Sequence, residues 1–174
     1  MQHHHLFETQ LGLCGIAWSD EGITRFRLPD ADRVAAEKAL GARGTPREPP
    51  PHIATAVEEA KRYFGGARID FSRIGLDLAA VDPFRRSIYD ALRAVAWGET
   101  VTYGELARRA GAPGAAQDVG VAMARNPVPL IIPCHRVLAA GGKLGGFSAP
   151  GRTETKERML ALEGVFIDNQ PRLL

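Results

Sequence analysis

The chain has 174 residues, a formal net charge of +2, 45% apolar residues and 24% charged residues. This composition is typical of a globular protein, and the length suffices for one domain or two small ones. No apolar stretch approaches the roughly 18 residues that a membrane-spanning helix needs, so no membrane partner is expected. The N-terminus shows no signal-peptide pattern, and two cysteines, Cys14 and Cys134, fit a reducing, cytoplasmic compartment better than a disulfide scaffold.

The first 80 residues predict a small α/β domain that begins with a hairpin. Apolar runs at residues 6–18 and 23–28 flank the sequence SDEG, in which Gly22 is available for positive φ. The histidines at positions 3–5 lie in a terminus that is expected to fray, and they receive no functional weight.

Two helices and an extended segment complete the predicted first domain. Helical spacing predicts helices at residues 32–40 and 53–64, with Gly65-Gly66 ending the second. The Pro/Gly-rich residues 41–51 predict a loop between them. Residues 69–78 predict a strand or an extended segment.

Residues 81–174 predict a second, mainly helical domain. Asp82-Pro83 is a typical helix start, and Phe84, Ile88, Leu92 and Val95 then fall on one face. Short helices at residues 103–110 and 115–124, joined by the turn GAPG, form a helix-turn-helix pattern. The second of these ends at Asn126-Pro127.

The remainder of this domain predicts a wing and a final helix. VPLII, residues 128–132, predicts a short strand or a buried extended run. Residues 137–147, with two glycines at their centre, predict a hairpin that would be the wing. A last helix is expected at residues 153–163, with Gly164 as its stop.

Cys134 stands out because the apolar run ends in Pro-Cys-His-Arg. The thiolate is the reactive form of cysteine, and a free thiol with a pKa of ~8.5 needs help to reach it. In an extended run the adjacent side chains of Cys134 and His135 point apart, so a bridging water would have to connect them. Glu163 is a candidate acceptor to orient His135. The alternative is that this Cys-His pair is structural.

The sequence NPVPLIIPCHRV, preceded by TVTYGELA and followed by GKLGGFS, resembles the O6-alkylguanine-DNA alkyltransferases, the methylated-DNA–protein-cysteine methyltransferases. The resemblance covers residues 82–165. It implies that Cys134 accepts an alkyl group irreversibly, once per molecule. It also implies that His135 acts through a water, that Glu163 steers it, and that Asn126 orders the turn. Arg136 is expected to be a structural ion-pair partner.

The resemblance further implies that the partner is double-stranded DNA, bound through the minor groove with little sequence preference after the damaged base is flipped out. O6-alkylguanine is the expected lesion, with O4-alkylthymine a less certain second. The expected DNA contacts are Thr102, Tyr103, Ala115, Ala116, Gln117 and Arg125. The expected substrate pocket is formed by Tyr103, Met123, Val137, Phe147 and Ser148. A monomer without a cofactor or metal is expected, since Cys14, His52 and the terminal histidines do not form the zinc pattern of some relatives.

Two departures from the family pattern bear on function. Gln117 and then Asp118 stand where the family commonly carries an arginine that fills the gap left by the flipped base. Phe147 stands where a tyrosine is often found, so one hydrogen bond near the substrate oxygen is expected to be missing.

Two other classes of protein fit parts of the sequence. A non-catalytic sensor of alkylated DNA would bind the lesion without transfer, although relatives of that type lack the acceptor cysteine. A plain helix-turn-helix transcription factor would need a dimer interface or an effector domain. Charge discriminates little, since the part from Asp82 onward has 12 Lys and Arg against 9 Asp and Glu.

Overall fold

The computed structural model describes residues 1–41, 44–145 and 152–167. In the N-terminal half, a four-stranded mixed sheet in the order β3-β2-β1-β4 packs with two helices. These elements are β1 His3–Thr9, β2 Gly12–Trp18, β3 Ile23–Asp30, α1 Arg33–Gly41, β4 Thr45–Pro46 and α2 Pro51–Phe64.

The predicted β2–β3 hairpin is confirmed, but the apolar run before it contains two strands instead of one. β1 and β2 pair antiparallel from His3 opposite Trp18 to Thr9 opposite Gly12. The Thr9 hydroxyl donates to the Gly12 carbonyl at 2.7 Å, and Gly12 adopts a φ of +128° that allows the tight reversal. The three histidines lie in β1 and are not frayed, because the strand pairs along its full length.

The two helices of this half form as predicted. The Asp32 side chain accepts a hydrogen bond from the Ala35 amide at 3.0 Å and so caps α1. α2 begins at Pro51 and buries an apolar face that includes Ile53, Tyr63 and Phe64. The predicted loop between the helices contains the two-residue strand β4, which pairs parallel with β1.

Residues 69–78 are irregular, so the strand alternative for this segment is wrong. A single parallel bridge joins Leu76 to Ile23. Arg93 donates instead to the carbonyls of Phe71, Ser72 and Ile74 at 2.8–3.2 Å. A guanidinium thus satisfies carbonyl groups that a neighbouring strand would otherwise bind.

The C-terminal half is mainly helical, as predicted. Its elements are α3 Pro83–Arg93, β5 Val101–Thr102, α4 Tyr103–Arg109, α5 Ala116–Ala124, a 3-10 turn Cys134–Arg136, β6 Val137–Leu138, a second 3-10 turn Ala140–Gly142 and α6 Arg152–Leu162. Asp82 caps α3 by accepting from the Arg85 amide at 3.0 Å. Phe84 is 40% exposed and not part of the buried face, because it lies in the first turn of α3.

The strand prediction for residues 128–132 is wrong. Residues 128–132 form a tight buried turn in which Leu130 has a φ of 75°, so no strand can continue through them. In the expected wing, Val137 begins the short strand β6, which pairs parallel with β5. An isolated antiparallel bridge joins Ala139 to Lys143 across the two central glycines. Residues 146–147 lie outside the described ranges, so the wing hairpin stays a prediction.

One cluster of buried apolar side chains runs through both halves. It includes Ile16, Phe26 and Tyr63 from the first half and Leu92 and Val119 from the second. The amide of Phe26 also donates to the carbonyl of Pro127 at 3.0 Å. The sheet and α2 therefore support the helical half directly. Over residues 1–41, 44–145 and 152–167, no helix combines the length and apolar character needed to span a membrane.

Candidate active site

Cys134 lies in a 3-10 turn, so the expectation of an extended run at this residue is wrong. Pro133, with φ −80° and ψ 66°, forms an inverse γ-turn in which the Cys134 amide donates to the Ile132 carbonyl at 2.8 Å. The ring of Pro133 restricts φ, so the backbone enters the turn in one conformation. Cys134 is 6% exposed.

Asn126 joins the end of α5 to this turn. Its Nδ2 donates to the carbonyl of Ile132 at 2.9 Å, and its Oδ1 accepts from the amide of Val128 at 3.0 Å. Its side chain also acts to lower the pKa of the Cys134 thiol. One amide side chain therefore joins two parts of the loop and acts on the thiol.

His135 and Glu163 form a buried pair. The carboxylate comes from the residue that follows α6, and its Oε2 lies 2.5 Å from Nε2 of His135. Glu163 Oε1 accepts from Nε of Arg136 at 2.7 Å, and Arg136 also donates to the Val95 carbonyl at 2.7 Å. Arg136 thus has the structural ion-pair contact that was expected of it.

The other nitrogen of His135 has no protein partner among the described residues. Nδ1 is buried and unpaired, whereas Nε2 contacts a carboxylate. A carboxylate partner favours the tautomer with the proton on Nε2, which leaves a lone pair on Nδ1. His135 in this tautomer is able to accept a proton at Nδ1.

Burial shifts the pKa values of the two central groups in opposite directions. It raises the pKa of the Cys134 thiol, although the Asn126 hydrogen bond, the Lys156 charge and nearby backbone amides work against the shift. It lowers the pKa of His135, although Glu163 favours the charged form. At neutral pH the site therefore holds a thiol and a neutral imidazole.

The Glu163 carboxylate remains ionised in this environment. Burial alone would raise its pKa, but the hydrogen bonds and charges of His135 and Arg136 outweigh burial and lower it to about 2. A stable negative charge beside His135 favours any positive charge that the imidazole acquires.

Sequence reasoning missed Tyr63 and Lys156. The Tyr63 hydroxyl donates to Glu163 Oε2 at 2.6 Å from a helix in the other half of the chain, and no sequence signal connects the two. Lys156 is 1% exposed; burial lowers its pKa to about 8, and its charge acts on Cys134. A signal for Lys156 existed, because it lies two helical turns before Glu163 on a face that includes Met159 and Leu160.

Of the expected pocket residues, Tyr103, Met123 and Val137 lie within the described ranges. Tyr103 is half-buried at the start of α4, and burial, with the nearby Cys134, raises its pKa. A Cβ on Gly145 would lie 3.4 Å from the Tyr103 hydroxyl, so glycine allows this loop to pass close to the tyrosine. Met123 is partly buried against the core. Val137 is fully buried in β6. Phe147 and Ser148 lie outside the described residues.

The expected DNA contacts lie around α4 and α5, which pack against each other. Thr102 caps α4 by accepting from the Glu105 amide at 3.1 Å. Ala115 and Ala116 are partly exposed at the start of α5, whereas Gln117, Asp118 and Arg125 are exposed. Tyr89 is buried and donates to the Ala122 carbonyl at 2.8 Å, which ties α5 to α3.

A metal site would need several nitrogen, sulfur or oxygen ligands close together. Within the described ranges, no group of three or more His, Cys, Asp or Glu side chains has that arrangement. Cys14 and Cys134 are both free and buried.

The chain is similar to proteins of one family. The family model for the 6-O-methylguanine DNA methyltransferase DNA-binding domain matches residues 83–165. A methylated-DNA–protein-cysteine methyltransferase of Mycolicibacterium paratuberculosis is 37% identical over 94% of this chain and 93% of its own length. The constitutive methylated-DNA–protein-cysteine methyltransferase of Bacillus subtilis is 33% identical over 95% of this chain and 97% of its own.

Solved structures show the same fold over nearly the whole chain. Mycobacterium tuberculosis OGT in complex with DNA superposes with a TM-score of 0.74 at 34% identity, over 92% of each chain. The O6-methylguanine-DNA methyltransferase of Pyrococcus kodakaraensis gives a TM-score of 0.72 at 26% identity, covering 95% of this chain and all of that one. The similarity thus includes the N-terminal half, for which the sequence offered no motif.

Proposed function

This chain belongs to the methylated-DNA–protein-cysteine methyltransferases, and we propose that its Cys134 takes the alkyl group directly from O6-alkylguanine in DNA. The observation that carries the proposal is a buried cysteine in a rigid turn, next in sequence to a histidine that a buried glutamate orients. Nucleophilic cysteines in enzymes depend on such a base and an orienting group.

The raised pKa of the Cys134 thiol explains why a base is needed. A buried thiol is protonated at neutral pH and therefore unreactive until its proton is removed. His135 is neutral, and its Nδ1 is free to accept a proton by way of a bridging water. Glu163 then stabilises the imidazolium that forms, as the acidic member of a triad does.

The transfer step forms one bond and breaks another. The Cys134 sulfur attacks the alkyl carbon, the S–C bond forms, and the bond from that carbon to O6 breaks. Guanine leaves with the electron pair and takes up at N1 the proton that the thiol gave up. A thioether resists hydrolysis, so each molecule reacts once. O4-alkylthymine presents the same kind of alkyl ether and is the less certain second substrate.

DNA binding is assigned to the helix-turn-helix formed by α4 and α5. O6 of guanine is stacked within the duplex, so the damaged nucleotide must rotate out to reach a buried sulfur. Small residues at the start of α5, Ala115 and Ala116, suit a helix that enters the narrow minor groove, and Arg125 is exposed for phosphate contact. Gln117 occupies the position from which a side chain would fill the gap left by the rotated base.

The assembly of the protein is inferred from the same features. We assign residues 1–80 to a supporting α/β domain and residues 81–174 to the alkyltransferase domain, whose segment after Val137 would serve as a wing. One copy carries all the groups of the proposed site, which supports a monomer. Two free cysteines support a reducing compartment such as the cytoplasm.

Intact mass spectrometry tests this function. The protein is mixed with a duplex that contains one O6-methylguanine, and we expect one gain of a methylene mass on the peptide that carries Cys134. Cys134→Ala should still bind the duplex but gain no mass. Cys14→Ala is the matched control and should gain mass normally, because Cys14 is a fully buried β2 residue distant in sequence from the turn. Unchanged mass in folded, reduced, DNA-bound protein would refute transfer and favour the sensor.

A further inference from the structure

The hydroxyl of Tyr63 contacts the pair that we assign to proton transfer. It donates to Glu163 Oε2 at 2.6 Å and lies 3.5 Å from His135 Nε2, which contacts the same oxygen. It also lies 3.4 Å from the Met159 carbonyl. Tyr63 belongs to α2, 100 positions before Glu163, so the N-terminal half supplies a polar group to this site.

Aromatic neighbours hold the Tyr63 ring in place. The ring packs edge-on against Phe64, Phe71 and Trp97, with centroid distances of 5.1, 5.7 and 5.6 Å. Tyr63 is fully buried. Such a ring has few alternative rotamers, so its hydroxyl is aimed at the carboxylate before any substrate arrives.

The hydroxyl stays protonated and therefore remains a donor. Burial raises the pKa of Tyr63, and the charge of Glu163 raises it further. Two donors, Tyr63 and His135, thus share Oε2, while Arg136 occupies Oε1. Each added donor partly neutralises the negative charge of the Glu163 carboxylate. Less of that charge then remains to stabilise an imidazolium.

We propose that Tyr63 is a positioning residue. It fixes the Glu163 carboxylate and limits how strongly that carboxylate stabilises a protonated His135 imidazole. This inference rests on the proposed function of His135 as the base for Cys134. It gives the N-terminal half a chemical role in addition to its packing role.

Other charged and titratable groups also act on the His135 imidazole, and the pH dependence has to be interpreted with them in place. Those that face or adjoin it are Tyr63 from α2, Cys134 and Arg136 from its own turn, Lys156 from α6 and Glu163 after α6. Tyr63→Phe changes only one of them, and by one oxygen atom. The other groups therefore serve as an unchanged background.

The test is the single-turnover rate of methyl transfer to Cys134, measured against pH for the full-length protein and Tyr63→Phe. Without the hydroxyl, Glu163 retains more charge for His135, so the imidazole becomes more basic and is protonated at a higher pH. We expect the acidic limb of the rate profile to move upward by roughly one pH unit. At neutral pH we expect transfer to be roughly 3- to 10-fold slower, because the carboxylate that orients His135 is no longer fixed by the Tyr63 hydroxyl.

Tyr89→Phe is the matched control. It removes another fully buried tyrosine hydroxyl that donates to a backbone carbonyl, and within the described ranges this hydroxyl makes no hydrogen bond to Glu163 or His135. Loss of packing or stability alone would affect the two variants alike and leave the midpoint of the acidic limb in place. A shift in Tyr63→Phe that is absent from Tyr89→Phe supports the positioning role, and equal midpoints overturn it.

Failure of this inference differs from failure of the proposed function. If the unmodified protein gains no mass on Cys134, the proposed function fails. If it transfers normally and the Tyr63→Phe midpoint does not move, only the role of Tyr63 fails.

A measurement on the unmodified protein covers the case in which Tyr63→Phe does not fold. In a two-dimensional nuclear Overhauser spectrum, the Tyr63 hydroxyl proton and the His135 Nε2 proton should show a cross-peak, because both protons point at the same oxygen and therefore lie close together. A spectrum in which both protons are resolved without that cross-peak overturns the geometry.

Discussion

Burial has opposite consequences for the two side chains at the centre of the site. The thiol of Cys134 becomes a weaker acid, and the imidazole of His135 becomes a weaker base. Each shift keeps its group uncharged, which is what a low-dielectric interior favours. In the proposed mechanism, the protonated thiol of the resting protein is protected from other electrophiles, and the thiolate forms only when the base and the substrate are both in position.

We predict that His135→Ala slows methyl transfer by about 100-fold or more, the usual contribution of a general base. DNA affinity should stay the same, because His135 is fully buried and cannot contact a duplex. Single-turnover kinetics and a binding titration on the same preparation measure both effects. His52→Ala, at an exposed histidine of α2, is the control and should transfer normally. A full-rate His135→Ala protein would remove the water relay from the mechanism.

At the scale of elements, α5 connects the proposed DNA-binding surface to the proposed acceptor Cys134. Its first turn carries exposed Gln117 and Asp118, and its end passes through Asn126 into the turn that holds Cys134. Tyr89 fastens the same helix to α3. In the proposed mode of binding, a duplex on α5 would lie at a fixed distance from the sulfur, which is the geometric condition for capturing a rotated nucleotide.

We predict that Gln117→Arg strengthens binding to alkylated duplex by roughly 3- to 10-fold, because a guanidinium adds charge and a stacking surface. A titration at fixed salt concentration checks this. Gln10→Arg adds the same charge in the exposed turn between β1 and β2 and should have a smaller effect. Equal effects of the two substitutions would mean that residue 117 does not fill the vacated stack.

At the scale of the whole molecule, the two halves share one core. The amide of Phe26 in β3 donates a hydrogen bond to the carbonyl of Pro127, beside the loop that leads to Cys134. The ring of Tyr63 in α2 packs on that of Trp97, which follows α3. Apolar surface buried between two parts of a chain couples their unfolding, because exposing one part exposes the other.

We predict that both halves unfold in a single transition. Trp18 lies in β2 and Trp97 in the second half, so Trp97→Phe and Trp18→Phe each leave one reporter. In each variant, the fluorescence midpoint in denaturant should coincide with the loss of helical circular dichroism. A fluorescence transition that separates from the helical signal in either variant would contradict a shared core.

Local rules accounted for most of the helices. The Asp82 cap and the Pro83 start of α3 are chemical signals that act within one turn, and the structure confirms them. The strands were harder to predict, because residues 69–78 and 128–132 are apolar enough for strands but have no neighbouring strand to pair with over their length. The guanidinium of Arg93 instead binds backbone carbonyls of residues 69–78, and residues 128–132 bind their own backbone groups within a proline-rich turn.

The sequence by itself determined the family, the proposed acceptor Cys134 and its neighbours His135 and Asn126, because these residues lie within one contiguous motif. Only the tertiary structure decided which distant groups complete the site. Glu163 is predicted from its place at the end of the last helix and from the family resemblance, whereas Tyr63 and Lys156 are not predicted. The physical reason is that a buried carboxylate collects donors from whichever elements pack around it, and that packing is a property of the whole core.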